Sequence, residues 1–212
     1  LTIVKTGQEK IVLFQGDSIT DVGRDRKDGS HLGYGYAMMA AAQFFANYPA
    51  KDVMFLNRGI GGDRVRDLKK RWEKDCIDLK PSLVSILIGI NDCWRRYDRN
   101  DPTSVQKFEE DYRYILQQVR EKTEAEIILC EPFVLPVPED RKRWREDLDP
   151  KINVVRELAR EFNAHLLPLD GIFSHVSVYK KPDFWAQDGV HPTNAGHALI
   201  AKEWLKLAKD II

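Results

Sequence analysis

Ser18 lies in a setting that could support covalent chemistry. It belongs to Gly16-Asp17-Ser18-Ile19-Thr20, one residue after the apolar run Ile11-Val12-Leu13-Phe14. A serine leaving a buried strand beside glycine and aspartate is either a turn residue or a nucleophile. As a nucleophile it needs a base within hydrogen-bond reach, and that base needs a group to fix its tautomer and stabilise its charge. Asp188 and His191, in Asp188-Gly189-Val190-His191-Pro192, could supply both. A tight turn would bring the carboxylate to Nδ1 and leave Nε2 facing Ser18. Each has a plainer reading, His191 as a packed ring at a helix start and Asp188 as a turn carboxylate on backbone N–H groups. Acyl transfer also needs donors aimed at a developing oxyanion. Gly62 offers an unobstructed backbone N–H at the start of a predicted helix, and Asn91 a side-chain amide at the end of a predicted strand. The alternatives are a positive-φ turn at Gly61-Gly62 and helix capping at Asn91-Asp92.

The elements that must place these residues follow from the hydrophobic pattern. Ile11 to Phe14, Val53 to Leu56, Leu83 to Ile88, Ile127 to Cys130 and a weaker Leu166 to Leu169 are short, continuous apolar runs. Such runs mark strands covered on both faces. Helical spacing lies between them, from about Gly35 to Phe45 and from Asp63 to about Cys76. A further helix carries Val105, Phe108, Tyr112, Ile115 and Val119 behind a capping box of Thr103 and Gln106. Ile152, Val155, Leu158, Ala159 and Phe162 predict another beginning just after Pro150, and Leu199, Ile200, Trp204, Leu207 and Ile211 a last one from Thr193 onward. Strand and helix alternate, which predicts a doubly wound α/β fold with a parallel sheet. Pro132 to Pro150, proline-rich and densely charged, is predicted to be a long surface loop, a candidate lid or oligomer contact. Ligands of such sheets sit beyond the carboxyl ends of the strands. The four polar clusters follow the first, second, third and fifth strands and would share that rim.

Composition narrows the function. A chain of 212 residues suits one core, so a single domain over 1–212 is expected. Lys plus Arg equal Asp plus Glu at 33 each, which gives no reason to expect nucleic acid or an anionic membrane as partner. The basic patch Arg141-Lys142-Arg143-Trp144-Arg145 is flanked by Glu139-Asp140 and Glu146-Asp147 and is expected to be solvated. Cys76, Cys93 and Cys130 show no metal or redox spacing, as in a reduced, cytosolic chain. No apolar run approaches a membrane span and no signal-type N-terminus is present, although a chain opening on Leu1 leaves room for a trimmed leader. The five histidines lack HExxH spacing, and neither GxxxxGK[ST] nor GxSxG occurs, so no metal or cofactor is expected and an α/β-hydrolase elbow is rejected.

In these four blocks and their order the sequence resembles the SGNH, or GDSL-type, hydrolases. Gly16 to Thr20 matches their first block, Asn57 to Gly62 the second, Gly89-Ile90-Asn91-Asp92 the third and Asp188 to Pro192 the last. The resemblance implies a three-layer α/β/α, flavodoxin-like fold with a five-stranded parallel sheet. It also implies Ser18 as nucleophile and oxyanion donor, Gly62 and Asn91 as further oxyanion donors, His191 as base and Asp188 as its orienting acid. Ile19 replaces the leucine of the name-giving motif, and Arg64 stands where the second block often has threonine, which bears on the pocket wall. No role is assigned to Asp17.

Ser18 to Arg24, Val65 to Lys69 and Asn91 to Asp98 are similar to intracellular acetyl-xylo-oligosaccharide esterases of this superfamily. This implies deacetylation of xylose units, often by a homo-oligomer, with Trp94 and Trp185 as candidate sugar contacts or ordinary packing residues. Two alternatives stay open: a lipase or thioesterase acting on other acyl groups with the same triad, and a non-catalytic small-molecule binding module on the same scaffold.

Overall fold

The structure, a computed structural model, describes residues 10–212. Residues 1–9 of the expected domain, and the site of any trimmed leader, lie outside the described residues. Strands β1 (Lys10–Gly16), β2 (Val53–Asn57), β3 (Leu83–Leu87), β4 (Glu126–Cys130) and β5 (His165–Leu167) form one parallel sheet in the order β2-β1-β3-β4-β5. The helices are α1 (Ser18–Asp21), α2 (Tyr36–Asn47), α3 (Val65–Asp75), α4 (Ile90–Arg99), α5 (Val105–Lys122), α6 (Arg145–Glu161), α7 (Leu169–Val176), α8 (Pro182–Trp185) and α9 (Asn194–Ala208).

Successive strand residues point to opposite faces, and here both faces are covered. Val12, Phe14, Ile128 and Cys130 pack with Tyr36, Ala40 and Phe44 of α2, Phe173 of α7 and Trp204 of α9. Leu13, Val84, Ile127 and Leu129 pack with Leu68 and Trp72 of α3, Tyr112 and Ile115 of α5 and Leu158 of α6. The continuous apolar runs are thus two interleaved sets of inward residues, one for each helical layer.

Four local expectations need correction. The segment from Pro132 to Pro150, expected as a long surface loop, is one only in part: Pro136, Pro138 to Asp140, Lys142 and Arg143 are exposed, but Phe133, Val134, Leu135 and Trp144 are buried, and Glu139–Trp144 forms a 3-10 helix leading into α6. Helix α6 starts at Arg145, before Pro150 rather than after it. Proline removes a hydrogen bond there, but Leu148 is fully buried on one side of it, and the buried Lys151 reaches back across it to Asp147 at 2.7 Å. Tertiary packing and this ion pair carry the helix through. Helix α5 is capped by Ser104, whose hydroxyl accepts from Lys107 N–H at 3.1 Å, rather than by Thr103. β5 also ends earlier than the apolar run, because Pro168 follows it and Leu169 opens α7.

Among the described residues no helix is long and apolar enough to cross a membrane.

Candidate active site

The strand order locates the site. From β1 the chain goes to β2 on one side, while β3 pairs on the other, so the topological switch point lies between β1 and β3, where a crevice opens beyond the strand ends. Gly16 ends β1 opposite Leu87 of β3. A Cβ on Gly16 would run into the Leu87 carbonyl oxygen and the Thr20 hydroxyl, so only glycine permits this close exit from the sheet. Asp17 then caps α1, its Oδ1 accepting from Ile19 N–H at 3.0 Å, and Ser18 takes the first helical position. At that position the Ser18 N–H has no intrahelical acceptor. Asp17 is almost fully buried with Oδ2 unpartnered, and burial pushes its pKa up to about 7 against the Ile19 hydrogen bond and the charge of His191.

Ser18 Oγ lies 2.9 Å from His191 Nε2, and His191 Nδ1 lies 2.7 Å from Asp188 Oδ2. The remaining Asp188 oxygen accepts from the backbone N–H groups of Val190 at 3.0 Å and His191 at 2.7 Å. Partial burial of Asp188 opposes ionisation, but the hydrogen bonds from the His191 ring and these two N–H groups outweigh it and hold the carboxyl well below its usual range. The hydrogen bond to Asp188 raises the His191 pKa above its ordinary value against partial burial, with the charges of Asp188 and Asp17 adding to the effect. An ionised acid on Nδ1 leaves Nε2 free to accept the serine proton.

The turn carrying the pair is braced from several sides. Ala186 and Pro192 form an antiparallel bridge at its base, and Thr193 N–H donates to Trp185 O at 2.8 Å. Gly189, at φ +79°, accepts on its carbonyl oxygen from Leu135 N–H at 2.8 Å, and a Cβ there would meet the carbonyl oxygens of Leu135 and Val137. Arg141 Nε donates to Asp188 O at 3.3 Å while its guanidinium lies 4.1 Å from the Trp144 ring centre. The basic patch expected to be solvated therefore includes an arginine built into this support.

The second block wraps the same crevice. Buried Asn57 donates to Thr20 O at 2.6 Å and Leu32 O at 2.7 Å and accepts from Gly59 N–H at 2.8 Å. Gly61 N–H donates to Asp21 Oδ2 at 3.0 Å, and Ile60 N–H to Gly16 O at 3.1 Å. A Cβ on Gly61 would sit 3.7 Å from the Ser18 Cβ, which places this loop against the serine. The exposed Gly62 N–H has no acceptor among the described residues and remains available. Asn91 occupies the first turn of α4, after β3, and its Nδ2 donates to Asp63 O at 3.1 Å, which ties it to the same loop. Buried Asp92 does not cap α4 but accepts from Val65 N–H at 3.1 Å; burial pushes its pKa up to about 7 against that bond and one from Thr103. Arg64 is buried rather than lining the crevice, bonding Asp101 Oδ2 at 2.6 Å and Thr103 Oγ1 at 3.3 Å.

The two tryptophans separate. The Trp94 ring centre is 5.8 Å from that of His191, beside the Ser18–His191 pair, whereas Trp185 packs edge-on to Phe184 with a buried Nε1. Cys93 is buried, which raises its thiol pKa and makes it a poor target for thiol reagents. Sequence reasoning missed Asp21, Arg95 and Arg141. Only Arg95 left a local signal, its i,i+4 spacing from Asn91 on a helix.

A five-stranded parallel sheet in this order, with helices on both faces, is the architecture of the SGNH hydrolases. Residues 14–199 match the GDSL-like Lipase/Acylhydrolase family, and the chain belongs to that family as a carboxylic ester hydrolase. It is 37% identical to an acetylxylan esterase of Geobacillus stearothermophilus over 211 residues, covering 96% of this chain and 95% of the relative. A crystal structure of that organism's acetylxylan esterase superposes with a TM-score of 0.85 at 36% identity, over 96% of this chain and 95% of that one. Catalytic mutants of it, altered at a histidine and at a serine, superpose similarly. A protein from Parabacteroides merdae, assigned as a GDSL-like lipase, reaches a TM-score of 0.90 at 34% identity, with 97% of each chain covered.

Proposed function

We propose that this protein is a serine esterase that removes O-acetyl groups from xylo-oligosaccharides. Ser18 is the nucleophile, His191 the general base, Asp188 its orienting acid, and Ser18 N–H, Gly62 N–H and Asn91 Nδ2 the oxyanion donors. The observation that carries this reading is the continuous hydrogen-bonded series Ser18 Oγ, His191, Asp188, beside a Gly62 N–H with no acceptor among the described residues and an Asn91 amide that gives one hydrogen to Asp63 O. Ser18 Oγ adds to the acetyl carbonyl as Nε2 takes its proton, and the donors hold the resulting oxyanion. Collapse expels the sugar alkoxide, which takes the proton from His191 and leaves acetyl-Ser18. Water then attacks, His191 accepts its proton and returns it to Ser18 Oγ, and acetate departs.

The sugar substrate is supported by the acetylxylan esterase relative, matched over nearly the whole chain, and by the indole of Trp94 beside His191. Trp94 and Trp185 are the proposed sugar contacts. The reading includes one domain over 1–212, a homo-oligomer and a reducing cytoplasmic setting, for which three unpaired cysteines are suited. The test is acetate release, followed by mass spectrometry, from acetylated xylo-oligosaccharides beside short- and long-acyl esters, with Ser18→Ala as control. Preference for acetylated sugar, abolished by Ser18→Ala, is expected. Equal or better turnover of long acyl chains would assign the site to a lipase or thioesterase instead.

A further inference from the structure

An asparagine amide serves an oxyanion only if its nitrogen, not its oxygen, faces the reacting carbonyl. Two partners set the orientation of Asn91. Asp63 O can only accept, and it takes Nδ2 at 3.1 Å. On the other side of the amide, Arg95 Nη2 donates to Oδ1 at 2.9 Å. A guanidinium carries donors and no acceptor, so the group facing it must be the oxygen. Arg95 and Asn91 are four residues apart on α4 and hence on one face. The guanidinium is itself held, hydrogen-bonded to Asp98 and lying 5.4 Å from the Trp94 ring centre, with only 14% of the side chain exposed.

From this geometry we propose that Arg95 is a positioning residue for the oxyanion donor: it locks the Asn91 amide with nitrogen toward the crevice and polarises it. A cation on Oδ1 draws electron density through the amide and makes the Nδ2 hydrogens stronger donors. One Nδ2 hydrogen is used by Asp63 O; the other is left for the substrate. The effect is worth most when the carbonyl oxygen becomes an anion, so it enters kcat rather than KM. The inference rests on the oxyanion role proposed above for Asn91. Arg95 also adjoins Trp94, whose ring faces His191, so any action through the base must be distinguished from action through the amide.

A double-mutant cycle does both. Arg95→Met should lower kcat for 4-nitrophenyl acetate roughly tenfold, the scale of one charge-assisted hydrogen bond expressed in part, with KM little changed and the midpoint of the pH–rate profile unmoved. Arg95→Lys, which keeps a cationic donor, should recover part of the loss. In an Asn91→Ala background Arg95→Met should cost nothing further, because the group it acts through is gone. Full kcat in Arg95→Met, the same loss in both backgrounds, or a shifted pH midpoint would each overturn the proposal. If Arg95→Met does not fold, the same cycle with Arg95→Gln decides between the same outcomes. Should Asn91→Ala itself keep full activity, the oxyanion role of Asn91 fails first; a large loss there with an inert Arg95→Met refutes only the positioning role.

Discussion

Replacing Asp188 by asparagine should abolish most activity through a proton in the wrong place, and the geometry says why. One Asp188 oxygen takes two backbone N–H groups, at 3.0 and 2.7 Å, and the other takes His191 Nδ1 at 2.7 Å. Asparagine has one accepting oxygen and one donating nitrogen. Two fixed N–H donors against one adaptable ring nitrogen decide its orientation: the oxygen stays with the backbone and the NH2 turns to Nδ1. The ring can meet an NH2 only as an acceptor, so its proton moves to Nε2, the atom 2.9 Å from Ser18 Oγ. Nε2 then cannot take the serine proton. A tautomer fault of this kind lowers kcat by about 10³- to 10⁴-fold in a serine triad, a barrier rise of about 4–5.5 kcal/mol. KM should change little, since the carboxylate lies behind the ring. Steady-state hydrolysis of 4-nitrophenyl acetate gives the rates, and ¹⁵N NMR of the His191 ring gives the tautomer. A variant retaining more than a tenth of wild-type kcat, or one whose ring keeps its proton on Nδ1, would refute this reasoning.

Asn91→Ala should lower kcat by roughly 10²- to 10³-fold, the usual loss for one oxyanion donor; unfolding detected by circular dichroism would make the side chain structural instead. In the wild type, kcat/KM should rise with pH through a step centred above the ordinary histidine value of 6.5, because the bond to Asp188 favours imidazolium and only neutral His191 acts as base. A step at or below that value in the pH–rate profile counts against the coupling. Gly16→Ala should destabilise the protein by about 3 kcal/mol through overpacking against Leu87 O, and an unchanged urea midpoint would show that the strand exit can relax. A serine-directed phosphonate should leave a single adduct on Ser18, located by peptide mass spectrometry; an adduct elsewhere with loss of activity would move the nucleophile.

The parallel sheet was legible because each strand is a continuous apolar run, and burial on both faces leaves no other pattern. The first three polar blocks were legible because each stands at the end of such a run, and the fourth, beyond α7 and α8, because it stands just ahead of the last predicted helix. Less visible was anything decided by contacts between distant segments. Pro150 marks a helix start by local rules, yet α6 runs through it because Leu148 is buried and Lys151 pairs with Asp147. Arg141 looked solvated within a balanced charge run, whereas it reaches across 47 residues to Asp188 O. Asp17 had no assignable role in the sequence, since a cap on a helix as short as α1 has no periodicity behind it. Asp21, likewise, meets Gly61 only once β2 lies beside β1.

The bond between Ser18 and His191 closes a loop of 173 positions, and what it joins are the first turn after β1 and the turn just ahead of α9. On the proposed roles, Ser18 is synthesised well before His191 and has no base until the turn ahead of α9 has been made. In the folded chain α9, which follows the His191 turn, packs against α2 and the sheet. On those roles ester turnover is a late reporter of maturation: a chain clipped ahead of His191 is expected to keep all five strands and remain inert, and recovery of activity on refolding should time the docking of α9.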